Sequence, residues 1–253
     1  MFLVSTIERN LTARRLLRKA VDPKAYRLLL GEAVVDASIK WLPILPGPVH
    51  TLVDVGAARG DVAAELDALY GLQHAVLIEP NEQQLVQLRA RTFSGRTSIH
   101  DCAVGHTAHT ASFNVLESVD SSSLLQPKVA VAEESFPGFS FGSAAKIMVK
   151  VRPLDEIARE AGLGVIDLLK VDVQGAELDV FRGAGGVLER TRVIHVEVGF
   201  TPVYEAQPLF HQVYDFLRDR FELLGLSGVV CNASGIPIQG DATFVNRRLP
   251  ASK

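Results

Sequence analysis

Two acids bracket a tight turn in the run Leu169-Lys170-Val171-Asp172-Val173-Gln174-Gly175-Ala176-Glu177, and His195 and Glu197 alternate on the next apolar run. An alcohol becomes a nucleophile when a carboxylate or imidazole within hydrogen-bond reach takes its proton. Asp172 is the first candidate for that base or for the acceptor of a substrate hydroxyl, and His195 is the alternative base. His195 reads equally as a buried histidine satisfied by its neighbours. Glu177 and Glu197 complete the candidate catalytic set. His195 and Glu197 are two apart on a strand and so share a face. Lys170 stands two before Asp172, faces the same way and can pair with it, also as a purely structural ion pair. Oxygen ligands of this kind permit a divalent metal such as Mg²⁺ but do not require one. No residue is assigned to a metal.

A second run, Thr51-Leu52-Val53-Asp54-Val55-Gly56-Ala57-Ala58-Arg59-Gly60, has the same design of an apolar stretch ending in an acid and small residues. Asp54, Gly56, Ala58 and Gly60 read as a loop that lets the backbone approach a ligand closely. Small residues there also serve helix–sheet packing. Glu79, before Pro80, stands at the end of the next apolar run, where a carboxylate can accept from both hydroxyls of a ribose. That chemistry suits an adenosyl ligand and a nicotinamide dinucleotide alike. The spacing of Gly56, Ala58 and Gly60 departs from the G-x-G-x-x-G of dinucleotide folds.

The elements that would position these residues alternate in type. Strands are predicted over 51–55, 75–78 and 97–100, with helices over 60–70 and 81–91. This βαβαβ order implies a parallel sheet with right-handed crossovers. Further strands are predicted over 110–117, 146–151, 166–171 and 193–198, then 221–226 and 242–246. Helices are predicted over 154–161, 176–188 and 208–220. Residues 118–145, rich in Ser, Gly and Phe, form a long connection read as a substrate-side loop. Phe136, Phe139 and Phe141 there can stack on a ring or form the loop's own small core.

Residues 1–48 read as a separate helical extension ending at Pro43, Pro46, Gly47 and Pro48, with 49–253 as the main domain. Arg14, Arg15, Arg18 and Lys19 make a basic amphipathic stretch in that extension. It is read as a helical cap with a solvated basic face, or as a peripheral membrane contact.

Hydrophobic residues make up 47% of the chain and charged residues 22%, enough for a sizeable core. With 26 Lys plus Arg against 29 Asp plus Glu, the net charge of -3 argues against general phosphate neutralisation, so no nucleic-acid partner is expected. Cys102 and Cys231 have no metal-ligand spacing and read as two buried thiols. With no signal-peptide core and no stretch of about 20 uncharged apolar residues, a cytoplasmic protein is expected.

Together these residues resemble the FkbM-type S-adenosylmethionine (SAM)-dependent methyltransferase family. The resemblance runs through Asp54-Val55-Gly56-Ala57, Glu79-Pro80, Leu154-Asp155, Lys170 to Glu177, Phe181-Arg182-Gly183-Ala184, Val196-Glu197-Val198 and Tyr204 to Pro208, over roughly residues 50–247. It implies an α/β, Rossmann-like class I methyltransferase fold. Its sheet would be seven-stranded and mostly parallel, flanked by helices, in the order 3-2-1-4-5-7-6 with the last strand antiparallel. It implies SAM bound at Asp54, Gly56, Ala58, Gly60 and Glu79, with Asp101, Cys102 and Ala103 flanking the adenine. It implies O-methylation of a hydroxyl on a sugar, glycolipid or polyketide-type small molecule. Ala58 stands where the family commonly has Asn, which keeps open a non-catalytic scaffold that retains the fold. An NAD-dependent oxidoreductase is the other alternative.

Overall fold

The computed structural model of the protein describes residues 45–249. The expected basic stretch of Arg14, Arg15, Arg18 and Lys19, and nearly all of the expected extension, lie outside the described residues. Strand β1 (Thr51–Val55) is buried after its first residue. Its side chains alternate between two cores. Leu52 joins Leu66, Leu85 and Leu168, whereas Val53 and Val55 join Leu154, Phe181 and Val196. A strand apolar on both faces belongs in the middle of a parallel sheet covered on both sides.

The sheet runs β3 (Arg96–His100), β2 (His74–Ile78), β1, β7 (Ile166–Val171), β8 (Thr191–Gly199), β10 (Pro237–Asn246), β9 (Phe221–Cys231). β10 is antiparallel to both of its neighbours, and the other pairings are parallel. Counted by its own strands, this is the expected 3-2-1-4-5-7-6 order of a Rossmann-like class I methyltransferase fold. Helices α1 (Asp61–Tyr70) and α2 (Glu82–Arg89) bury Leu66, Leu69, Leu85 and Leu88 against one face. On the other face lie α4 (Leu154–Glu160), α5 (Glu177–Arg182), α6 (Gly185–Glu189) and α7 (Phe210–Leu217).

Several sequence expectations are corrected. The single helix expected over 176–188 is two, α5 and α6. At the break a Cβ on Gly183 would lie 2.2 Å from the Gly105 carbonyl oxygen, so the chains cross there too closely for a side chain. The strands expected over 110–117 and 146–151 form a separate sheet, in the order β4 (Ala103–Val104), β6 (Ser143–Arg152), β5 (His109–Leu116). Ala103, expected to flank the adenine, therefore lies on a strand. The connection over 118–145 contains a 3₁₀ turn (Val119–Ser121) and α3 (Val129–Ser135). Within it Phe136 and Phe141 pack with Tyr204, so these rings serve the segment's own core. Of the two thiols expected to be buried, Cys102 is, whereas Cys231 is exposed at the end of the hairpin strand β9.

One feature of the sheet prepares the site. Leu52, Leu168 and Val193 lie side by side on one face. Two residues further along the same strands, the same face carries Asp54, Lys170 and His195, with Thr243 of β10 next in line. Because side chains alternate with period two, the face changes from apolar to polar as it approaches the carboxyl ends of the strands.

Candidate functional site

The polar end of that face opens into a cavity of about 480 Å³, a size suited to a nucleotide-like ligand. Its first half is built on β1 and β2. Gly56, Ala57, Ala58, Glu79, Pro80 and Asn81 line it, together with Cys102 and Ala103. Gly56 adopts φ +79, and a Cβ there would lie 1.8 Å from the Asp172 carbonyl oxygen. Only glycine lets the loop cross the end of β7 so closely.

The Glu79 carboxylate is locked in place. Its Oε2 accepts from the Ala58 amide at 3.0 Å and its Oε1 from the Asn81 amide at 2.8 Å. Burial pushes its pKa up to about 7, against those two hydrogen bonds. Asn81 caps α2, with Oδ1 accepting from the Gln83 amide at 3.1 Å. Its Nδ2 is buried and has no hydrogen-bond partner among the described residues.

Lys170 sits at the centre. Its Nζ lies 3.3 Å from Asp54 Oδ1 and 3.4 Å from Asp172 Oδ2. Burial works against its charge, but the two carboxylates outweigh it and hold the ammonium charged. Burial raises the Asp54 carboxyl, and Lys170 offsets that shift.

The second half of the cavity is walled by Asp172, Gln174, His195, Ser227, Gly228 and Asp241. Asp172 accepts from Gln174 Nε2 at 2.9 Å and keeps an exposed edge. Gln174 has a left-handed backbone at φ +55. From there its amide also donates to Glu197 Oε2 at 2.9 Å, and its Oε1 accepts from the Tyr204 hydroxyl at 3.2 Å. His195 is 3% exposed. Burial, then the Lys170 charge, lowers its pKa to about 3, so the ring is neutral. Its Nδ1 lies 3.0 Å from Thr243 Oγ1, and its Nε2 lies 3.9 Å from Asp241 Oδ1. Burial raises Asp241 to about 6, with Asp172 adding to the shift and Lys170 opposing it.

Of the expected residues, Asp54, Gly56, Ala58, Glu79, Cys102, Ala103, Asp172 and His195 therefore come together around one cavity. Four lie outside its lining. Gly60, at φ +77, caps α1, and a Cβ on it would lie 2.5 Å from Leu88 Cδ1. Asp101 is exposed and pairs with Arg89 at 3.8 Å. Glu177 Oε1 accepts from the Val173 and Gly175 amides at 3.2 and 2.9 Å, so it shapes the turn behind Asp172. Glu197 is shared between Gln174 and Gln239, whose Nε2 donates at 3.0 Å. Burial, then Asp172 and Glu177, raises its pKa. Burial also pushes the Cys102 thiol up to about 11, which keeps it protonated and not nucleophilic.

Sequence reasoning missed Asn81, Asp120, Gln174, Ser227 and Asp241. Asn81 before a helix signals only a cap. Asp241 follows a turn-rich stretch with no pattern of its own, and only the pairing of β10 with β8, which sets it opposite Glu197, brings it to the site. Asp120 closes the cavity from the 3₁₀ turn. It accepts from Gln84 Nε2 at 2.9 Å and pairs with Arg59 at 3.5 Å. Among the described residues no group of three His, Cys, Asp or Glu side chains is placed to hold a metal ion. No helix among them is long and apolar enough to cross a membrane.

Comparison with known proteins gives a match of residues 54–222 to the model of the methyltransferase FkbM domain. The chain is 29% identical to the 2-O-methyltransferase NoeI of Sinorhizobium fredii over 72% of its length and 76% of that protein's. It is 40% identical to methyltransferase sdnD of Sordaria araneosa over a shorter stretch, 32% of this chain and 36% of that one. Among solved structures, magnesium protoporphyrin IX methyltransferase from Synechocystis, with bound SAM, aligns over 97% of this chain and 96% of its own. Its TM-score is 0.44 and its identity 12%.

Proposed function

The chain belongs to the FkbM methyltransferase family, and from that premise we propose that it is a SAM-dependent O-methyltransferase acting on a hydroxyl of a sugar, glycolipid or polyketide-type small molecule. The observation that carries this reading is the joining of two kinds of wall in one cavity. The Gly56–Ala58 loop and the buried Glu79 suit a nucleoside, and beside them Asp172, His195 and Asp241 suit a hydroxyl. The similarity to a 2-O-methyltransferase supports transfer of the methyl group to oxygen. Residues 49–253 form the methyltransferase domain in this reading, and 1–48 an extension to it.

The methyl donor fits the residues present. Glu79 keeps lone pairs for a ribose diol beyond the two amides it already accepts from. The carboxylates of Asp54, Asp172 and Asp241 make a wall suited to a sulfonium cation. When bound, SAM supplies an electrophilic methyl group. The protein's part is to hold the acceptor oxygen in line with it, the source of much of the acceleration in such reactions. Asp172 would accept the hydrogen bond of the acceptor's O–H and take up the proton that the oxygen gives up on methylation. Lys170 pairs with Asp172 from one side and Gln174 fixes its orientation from the other. His195, held neutral, is a hydrogen-bonding wall and not the destination of the proton.

Calorimetric titration with SAM, and with NAD as control, tests the donor. Transfer of label from methyl-labelled SAM to a panel of methyl hexopyranosides tests the acceptor class. Asp172→Asn is expected to lower turnover by about 100-fold or more with SAM affinity within about twofold. Full turnover in that variant overturns the assignment of Asp172.

A further inference from the structure

Asn81 is 3% exposed and lines the cavity beside Glu79. Its amide orientation is fixed by the fold. The Gln83 backbone N–H needs an acceptor, so Oδ1 faces the start of α2 and Nδ2 must be the opposite end. That end is a buried donor without a partner among the described residues. A buried donor left unsatisfied costs about 1–3 kcal/mol, and such groups are rare in folded proteins. The Asn81 backbone is tied to Glu79 Oε1 at 2.8 Å, so the two side chains keep a fixed relation. Helix capping alone accounts for Oδ1. It does not account for an amide, because Ser, Thr or Asp caps as well.

A ribose hydroxyl that donates its hydrogen to a carboxylate keeps oxygen lone pairs to be satisfied. Glu79 offers acceptors only, and Asn81 Nδ2 offers the missing donor. We propose that Asn81 is a second ribose ligand, donating from Nδ2 to one hydroxyl oxygen of the adenosyl group while Glu79 accepts from the diol. The site thereby reads a ribose hydroxyl as both donor and acceptor. This assignment rests on the SAM reading above.

S-adenosylhomocysteine and its 2′-deoxy and 3′-deoxy analogues, titrated calorimetrically, test the proposal. Asn81→Ser keeps a capping oxygen for Gln83 and is too short to reach the diol. A thermal melt of the variant checks that the cap and fold persist. Asn81→Ser is expected to weaken S-adenosylhomocysteine by about tenfold, the loss of one buried hydrogen bond. It is expected to weaken one of the two deoxy analogues by less than about twofold, because the contact is already missing there. Equal affinity of the variant and the wild-type protein overturns the proposal. So does an equal weakening for all three ligands, which would mark Asn81 as a cap alone. Failure of the folded wild-type protein to bind S-adenosylhomocysteine removes the SAM reading itself, and this inference with it.

Discussion

Glu79 is held where its charge is disfavoured until a ligand arrives. With its pKa near 7 in the free protein, and the diol binding to the carboxylate form, affinity falls as the group protonates. S-adenosylhomocysteine affinity is therefore expected to drop about tenfold per pH unit below pH 7 and to level off above it, as calorimetry between pH 5.5 and 8.5 would show. Glu79→Gln is expected to bind weakly and without that slope. A second residue-scale expectation concerns Ala58. It adopts φ +46 while its amide holds Glu79. An L-residue in the left-handed region costs about 1–2 kcal/mol, and Asn tolerates that region better. Ala58→Asn is therefore expected to raise stability by about 0.5–1 kcal/mol, read as a rise of about 2 °C in Tm. It should leave the Glu79 hydrogen bond in place. A lowered Tm would show that the side chain meets an obstacle at the cavity wall.

At the scale of elements, the cavity is a sheet edge with a cover, and the 3₁₀ turn at Val119–Ser121 is the cover's contact point. Asp120 ties that turn to Gln84 of α2 and to Arg59 of the glycine loop. The side chain is largely exposed, so little folding energy depends on it. Asp120→Ala is expected to speed S-adenosylhomocysteine release several-fold in stopped-flow displacement, with Tm unchanged within about 2 °C. The central strands were legible because β1, β2 and β7 are buried on both faces and read as apolar runs. The alternation of His195 and Glu197 was legible for the same geometric reason. The sequence does not say how far a side chain sits from the strand end. Glu177, read as catalytic, is the first residue of α5 and spends its carboxylate on the turn. Asp101, read as an adenine contact, is exposed and pairs with Arg89 instead. The length of the β9–β10 hairpin was hidden because Gly225, Ser227 and Gly228 interrupt β9 midway and its tip is exposed. With it went Asp241 and Ser227, which reach the cavity only through cross-strand register.

For the whole molecule, the acids that build the site set how stability responds to pH. Burial raises both Glu79 and Glu177 to about 7 from an ordinary value of 4.5. Each binds a proton more tightly in the folded chain than in the unfolded one. Their contribution is therefore fully present below about pH 4.5 and is lost as pH rises through 7. The loss is on the order of a few kcal/mol across that window. Paired surface acids work in the opposite direction, as Glu160 does beside Arg152, whose hydrogen bond lowers the Glu160 pKa. That stability is lost only as the solution becomes strongly acidic. These opposing trends place the stability maximum below neutrality, and the buried neutral His195 works against its moving far into acid, because the unfolded chain protonates that ring first. Tm should then fall by several degrees between pH 6 and pH 8 in the free protein. Saturating S-adenosylhomocysteine should recover more of it at pH 8 than at pH 6, because the ligand favours the carboxylate form of Glu79. Glu79→Gln should flatten the fall and lose that pH-dependent recovery, and melts of both proteins at the two pH values would read the four outcomes together. A wild-type Tm that rises steadily from pH 6 to pH 8 would mean that these carboxyls are ionised in the fold without penalty. The buried acids would then not be the strain against which ligand binding works.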